Sequence, residues 1–128
     1  MKKFAFVMLL FGSILNTAFA DIYEDIASSI RKGDAKQLAL FFGNTVDITL
    51  LEQENISAKA QAELIIKEFF TKNPPKIFSI IHKGASKEGT MYAIGNLTTI
   101  EGKIFRISYF LKSIDGKNLI QEIRIETA

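Results

Sequence analysis

From Asp21 onward the apolar residues recur with two different periods, and each change of period marks an element. Ile22, Ile26 and Ile30 lie four apart and share one face of a predicted helix. Asp21 with Glu24 three residues later has capping-box spacing at its start, and Gly33 supplies a left-handed stop at its end. Asp34 with Gln37 repeats the start signal. Leu38, Phe41 and Phe42 then form the buried face of a short second helix, which Gly43-Asn44 breaks. Val46, Ile48 and Leu50 alternate with Asp47 and Thr49, the period of a half-buried strand. Ser57 is the expected cap of a third helix, striped by Ala58, Ala62, Ile65, Ile66, Phe69 and Phe70. Pro74-Pro75 stops it, because proline lacks an N–H and its ring clashes with the preceding turn.

After the prolines the pattern is that of strands, over about 77–83, 90–100, 104–113 and 118–126. Glu101-Gly102 and Asp115-Gly116 each suit a three-residue hairpin loop with glycine in the left-handed position, which pairs Thr99 with Lys103 and Ser113 with Lys117. One face then carries Met91, Ala93, Gly95, Leu97, Phe105, Ile107, Tyr109, Leu111, Leu119, Gln121, Ile123 and Ile125. The other carries Tyr92, Ile94, Asn96, Arg106, Ser108, Phe110, Ile120, Glu122 and Arg124. A two-residue loop moves the register by one and mixes apolar with charged residues on both faces. The first face is core and needs helices to cover it, which predicts an α+β domain of order α-α-β-α-β-β-β-β. On the second, Tyr92, Ile94, Phe110 and Ile120 are expected to form a contiguous apolar patch, the mark of a partner surface.

The segment ahead of Asp21 has a different character. Lys2 and Lys3 precede an apolar run from Phe4 to Phe11, and Ala18-Phe19-Ala20 stands just before Asp21. A basic start, a short apolar stretch and an A-x-A site make a cleavable secretory signal of residues 1–20, leaving one domain over 21–128. The stretch falls short of the ~20 apolar residues of a membrane span.

Charge changes the picture once that segment is set aside. The chain holds 16 basic and 14 acidic side chains, and Lys2 and Lys3 account for the excess. A near-neutral domain lacks the clustered basic face that nucleic acid requires. There is no Cys, hence no disulfide and no thiol for lipid attachment, although export permits both. The expected product is soluble and exported, to the periplasm or the medium, with no stable membrane anchor after cleavage.

Candidate chemistry is sparse. His82 is the only histidine, which leaves few parts for a metal cluster or a nucleophile triad, and no cofactor is implied. Tyr109 and Gln121 are the polar members of the core face and stand opposite each other in the expected register. They read as a hydrogen-bonded pair or as the floor of a small pocket, with His82 the third candidate ligand contact. The segment from Gly84 to Gly89 lacks the phosphate-loop pattern and reads as a hairpin loop. Asn55-Ile56-Ser57 and Asn96-Leu97-Thr98 match the glycosylation triplet without further meaning, and Asn73-Pro74-Pro75-Lys76 is a helix stop.

Phe69-Phe70 through Asn73-Pro74-Pro75, Ile81-His82-Lys83-Gly84, Tyr92-Ala93-Ile94-Gly95, and Asp115-Gly116-Lys117 through Ile123-Arg124-Ile125 carry a resemblance. The chain resembles the short exported bacterial proteins of the "domain of unknown function 4783" family, over nearly all of residues 21–127. The element order is similar to the cone-shaped fold of nuclear transport factor 2-like proteins. The resemblance implies that fold and an exported address, and no chemistry. Enzymes of the wider superfamily use an Asp base with Tyr and protonated Asp donors in an apolar pocket. The predicted inner face has no Asp or Glu. The expectation is therefore a non-enzymatic binding or interaction module, dimerising or meeting a protein through the outer sheet face. A small enzyme or carrier for an apolar ligand, using Tyr109, Gln121 and His82, is the alternative.

Overall fold

The computed structural model describes residues 21–128, and the signal segment expected over residues 1–20 lies outside the described residues. The described elements are α1 (Ile22–Arg31), α2 (Ala35–Ala39), β1 (Phe42–Leu50), β2 (Gln53–Ala58), α3 (Lys59–Lys72), β3 (Pro75–Ala85), β4 (Thr90–Thr99), β5 (Ile104–Ile114) and β6 (Lys117–Thr127). The six strands form one sheet in the order β2-β1-β6-β5-β4-β3. All neighbours are antiparallel except β1 and β6, which run parallel.

The helix boundaries follow from local chemistry. The Asp21 carboxylate accepts from the Tyr23 N–H at 2.9 Å, and Asp34 accepts from the Gln37 N–H at 3.0 Å. At the end of α1, Gly33 has φ 64° and its N–H donates to the Ile30 carbonyl, while the Asp34 N–H donates to the Ser29 carbonyl. These are the two bonds of a Schellman stop. Ile26 and Ile30 of α1, Leu38 of α2, and Ala62, Ile66, Phe69 and Phe70 of α3 point into the core. They meet Phe78, Leu97, Ile107, Tyr109, Ile123 and Ile125 from one face of the sheet.

Between α2 and α3, three details differ from the sequence expectation. Helix α2 stops at Ala39, and Phe42 opens β1, pairing with Ile120 on β6. Ser57 does not cap α3. It belongs to β2, and the cap position is Ala58, with no side-chain bond. Strand β2 itself was not predicted, because Gln53 to Ala58 is a largely exposed edge strand with no apolar alternation.

The hairpins split. Between β4 and β5 the Thr99 N–H donates to the Lys103 carbonyl at 2.8 Å and Gly102 has φ 90°, which is the three-residue loop. Between β5 and β6, however, Ile114 pairs with Lys117, and Asp115 and Gly116 have φ 51° and 78°. That is a two-residue loop with both central residues left-handed, the turn whose twist matches the strands. A bulge at Gln121, between the pairs Leu111 with Ile120 and Phe110 with Glu122, then resets the alternation. It keeps Ile123 and Ile125 inward. It also puts Ile120 inward, fully buried, and turns Leu119 outward beside Lys112. The two residues exchange the faces expected of them.

Candidate functional site

The expected pocket residues are not brought together. Tyr109 is fully buried and faces Ile123 across the strands, not Gln121. Its hydroxyl donates to the Tyr23 carbonyl at 3.0 Å, and the Tyr23 hydroxyl donates to the Gly84 carbonyl at 2.8 Å. The phenols thus tie α1 to β5 and β3. Burial pushes the Tyr109 hydroxyl pKa up, with the carboxylates of Glu24 and Asp21 adding to it, so the group stays a neutral donor. Gln121 sits at the bulge, beside Gly43, and its amide donates to the Leu119 carbonyl at 3.4 Å. His82 is exposed on edge strand β3 and pairs with Ile94 on the outer face. The three residues thus lie apart, at the contact with α1, at the bulge and on the sheet edge.

Among the described residues no helix lies over the outer face of the sheet. Its register rows run Gly84–Tyr92–Phe110–Glu122–Asp47–Ile56 and His82–Ile94–Ser108–Arg124–Thr49–Glu54. The Tyr92 ring lies over Gly84, so closely that a Cβ there would stand 2.7 Å from it. Tyr92 and Phe110 have ring centroids 6.5 Å apart. With Ile94 and Leu119 they make an apolar group in which Leu119 takes the place expected for Ile120. Ile77 and Ile104, at 50% and 49% exposure, flank Thr98 at the far end of the same face, and Ile56 is 71% exposed on β2. These three carry no alternation signal beyond single apolar residues at strand ends, and the sequence reading passed them over.

Charges of both signs lie between the apolar groups. Arg124 pairs with Glu122 at 3.0 Å. Glu54 has its carboxyl pKa raised, first by a hydrogen bond to the Asp47 carboxylate, then by the negative charges of Asp47 and Glu122. Among the described residues no group of three His, Cys, Asp or Glu side chains is arranged to hold a metal.

A second feature opens at the other side of the sheet. A cleft of about 660 Å³ lies between α3 and the ends of β1, β2 and β5. Leu50, Ile65, Phe69 and Phe105 line its apolar part, and Lys72 and Lys103 stand at its rim. Phe69 and Phe105 meet edge to face at 5.1 Å and 78°. The β1–β2 turn beside it holds Leu51 at φ 60°, a position that favours glycine.

The three described helices against one face of a six-stranded mixed sheet, with a cleft at one end, define a cone-shaped α+β domain of the nuclear transport factor 2-like class. A solved "ntf2-like protein of unknown function" from Shewanella baltica shares the fold at TM-score 0.64 and 15% identity, over 83% of this chain and 87% of that one. The chain belongs to the family described as "Domain of unknown function (DUF4783)", whose model matches residues 23–126. It is similar to a solved family protein from Bacteroides ovatus, at 30% identity and TM-score 0.77 over 81% of this chain and 93% of that one. It is also similar to one from Bacteroides uniformis, at 24% identity and TM-score 0.79 over 84% and 98%. No curated protein matches the chain.

Proposed function

We propose that the chain is an exported, non-enzymatic interaction domain whose outer sheet face docks a second copy of itself. One observation carries the reading: Tyr92, Ile94, Phe110 and Leu119 cluster on a sheet face that no described helix covers. Three further points support it. Five strands running roughly 30 Å and the shorter β2 at about 20 Å, ~4.8 Å apart, give a face on the order of 800 Å², the area one partner of a standard interface contributes. The face is nearly balanced in charge, with Arg106, Lys112 and Arg124 against Asp47, Glu54, Glu122 and Glu126, so two copies meet without strong net repulsion. Basic, apolar and A-x-A segments in residues 1–20 supply the export signal.

Phe110→Glu tests the docking face. The side chain is half-buried and outward, so the fold should survive while dimer affinity falls at least tenfold, the effect of losing ~1.4 kcal/mol or more. Sedimentation equilibrium reads the affinity, and thermal melting followed by circular dichroism reads the fold. A wild-type monomer at high concentration, or a folded variant with unchanged dimer affinity, overturns the reading.

A further inference from the structure

We infer that the cleft between α3 and the β1–β2 hairpin is a binding site for a free, single-chain amphiphilic carboxylate, with the tail inside and the head at the two lysines. The site faces away from the docking surface, so it stands or falls independently of the dimer.

The volume, about 660 Å³, is in the range of small-molecule sites. Its floor is apolar and fixed. Phe69 on α3 and Phe105 on β5 hold each other edge to face, and both are buried in the core. Leu50 and Ile65 continue the apolar lining and are only half-buried, so they leave apolar surface for an occupant to cover.

The rim selects the sign of the head group. Lys103 has no carboxylate within ion-pair distance among the described residues. Lys72 pairs at 3.0 Å with Glu68 one helical turn away, in a pair so exposed that water competes for both partners. The lining thus has two ammonium groups against one carboxylate. An apolar floor below an excess of cation fits a chain with an anionic end better than a neutral or cationic one.

Backbone strain points to the same place. Leu51 also lines the cleft and is held left-handed in a two-residue hairpin turn, where glycine sits without strain. A branched apolar side chain there, 47% exposed, adds apolar surface at the mouth.

Calorimetric titration of the purified protein with decanoate, below its micelle concentration, tests the site. Saturable one-to-one binding is expected, with decanol binding at least fivefold more weakly. Lys103→Met keeps the stem and removes the charge, and should weaken decanoate about fivefold while leaving decanol unchanged. Ile65→Trp fills the cleft from a half-exposed position and should abolish both, with the melting temperature confirming the fold. Absence of binding overturns the site. Equal binding of decanol and decanoate overturns the anionic class. Decanoate binding that neither variant alters places the ligand elsewhere and overturns the assignment. Phe110→Glu should bind decanoate as the wild type does, which separates failure of this site from failure of the docking face.

Discussion

The two faces of the sheet are made by the same strands but live under different constraints. On the inner face Ala93, Leu97, Ile107, Tyr109, Leu111, Ile120, Ile123 and Ile125 are all buried in one core cluster with residues of the three described helices. On the outer face, aromatic, aliphatic and charged side chains alternate, and most keep some contact with water. The inner face is thus fixed by packing, where one methylene is felt. The outer face is packed only in part, so its composition is less constrained by the core.

Neighbours on β6 offer the sharpest way to break that contrast. Ile120→Ala should cost about 2–5 kcal/mol in urea unfolding, because it opens a cavity in the core. Leu119→Ala, one residue away on the other face, should fall within about 1 kcal/mol of wild type. Equal costs would mean that the bulge at Gln121 is misplaced. A smaller effect follows at Tyr109→Phe, which keeps the ring and loses only the bond to the Tyr23 carbonyl, about 0.5–1.5 kcal/mol by the same measurement. The smallest concerns the outer face alone. Glu54 has its folded pKa raised, so protonated Glu54 is favoured in the folded state. Stability from this group is present below its ordinary value near 4.5 and is lost as pH rises through the raised folded value. Glu54→Gln should flatten the pH dependence of the melting temperature between the ordinary value and the raised folded one, and an unchanged slope there would remove the Asp47–Glu54 contact from consideration.

The inner face was legible in the chain because burial imposes a period. Helices α1 and α3, the four C-terminal strands and the Thr99–Lys103 register all follow from apolar spacing and turn residues. The losses occur where that period is weak. Edge strand β2 has no buried face to impose alternation. The Asp115-Gly116 turn favours two residues locally, but that choice agrees with the apolar pattern only if a bulge follows, and a bulge leaves no mark in composition. The pairing of Tyr109 with Gln121 and the outward facing of Ile120 both rested on that register. The cleft was illegible for another reason: Leu50, Ile65, Phe69, Phe105 and Lys103 come from separate elements, and only folding gathers them.

Strand β3 is the longest exposed edge of the sheet, and it is interrupted. A bulge falls between Ile80 and His82, and Lys83 lies on the inner side, 3.4 Å from the Asp21 carboxylate and 5.2 Å above the Tyr23 ring centre. Adding another strand to this edge would meet a broken ladder and a lysine already engaged, which discourages edge-to-edge growth. Association by sheet faces uses each surface up in a single closed pair, whereas association by edges has no natural end. The interrupted edge therefore biases this molecule away from open-ended, fibre-like growth, whatever its concentration.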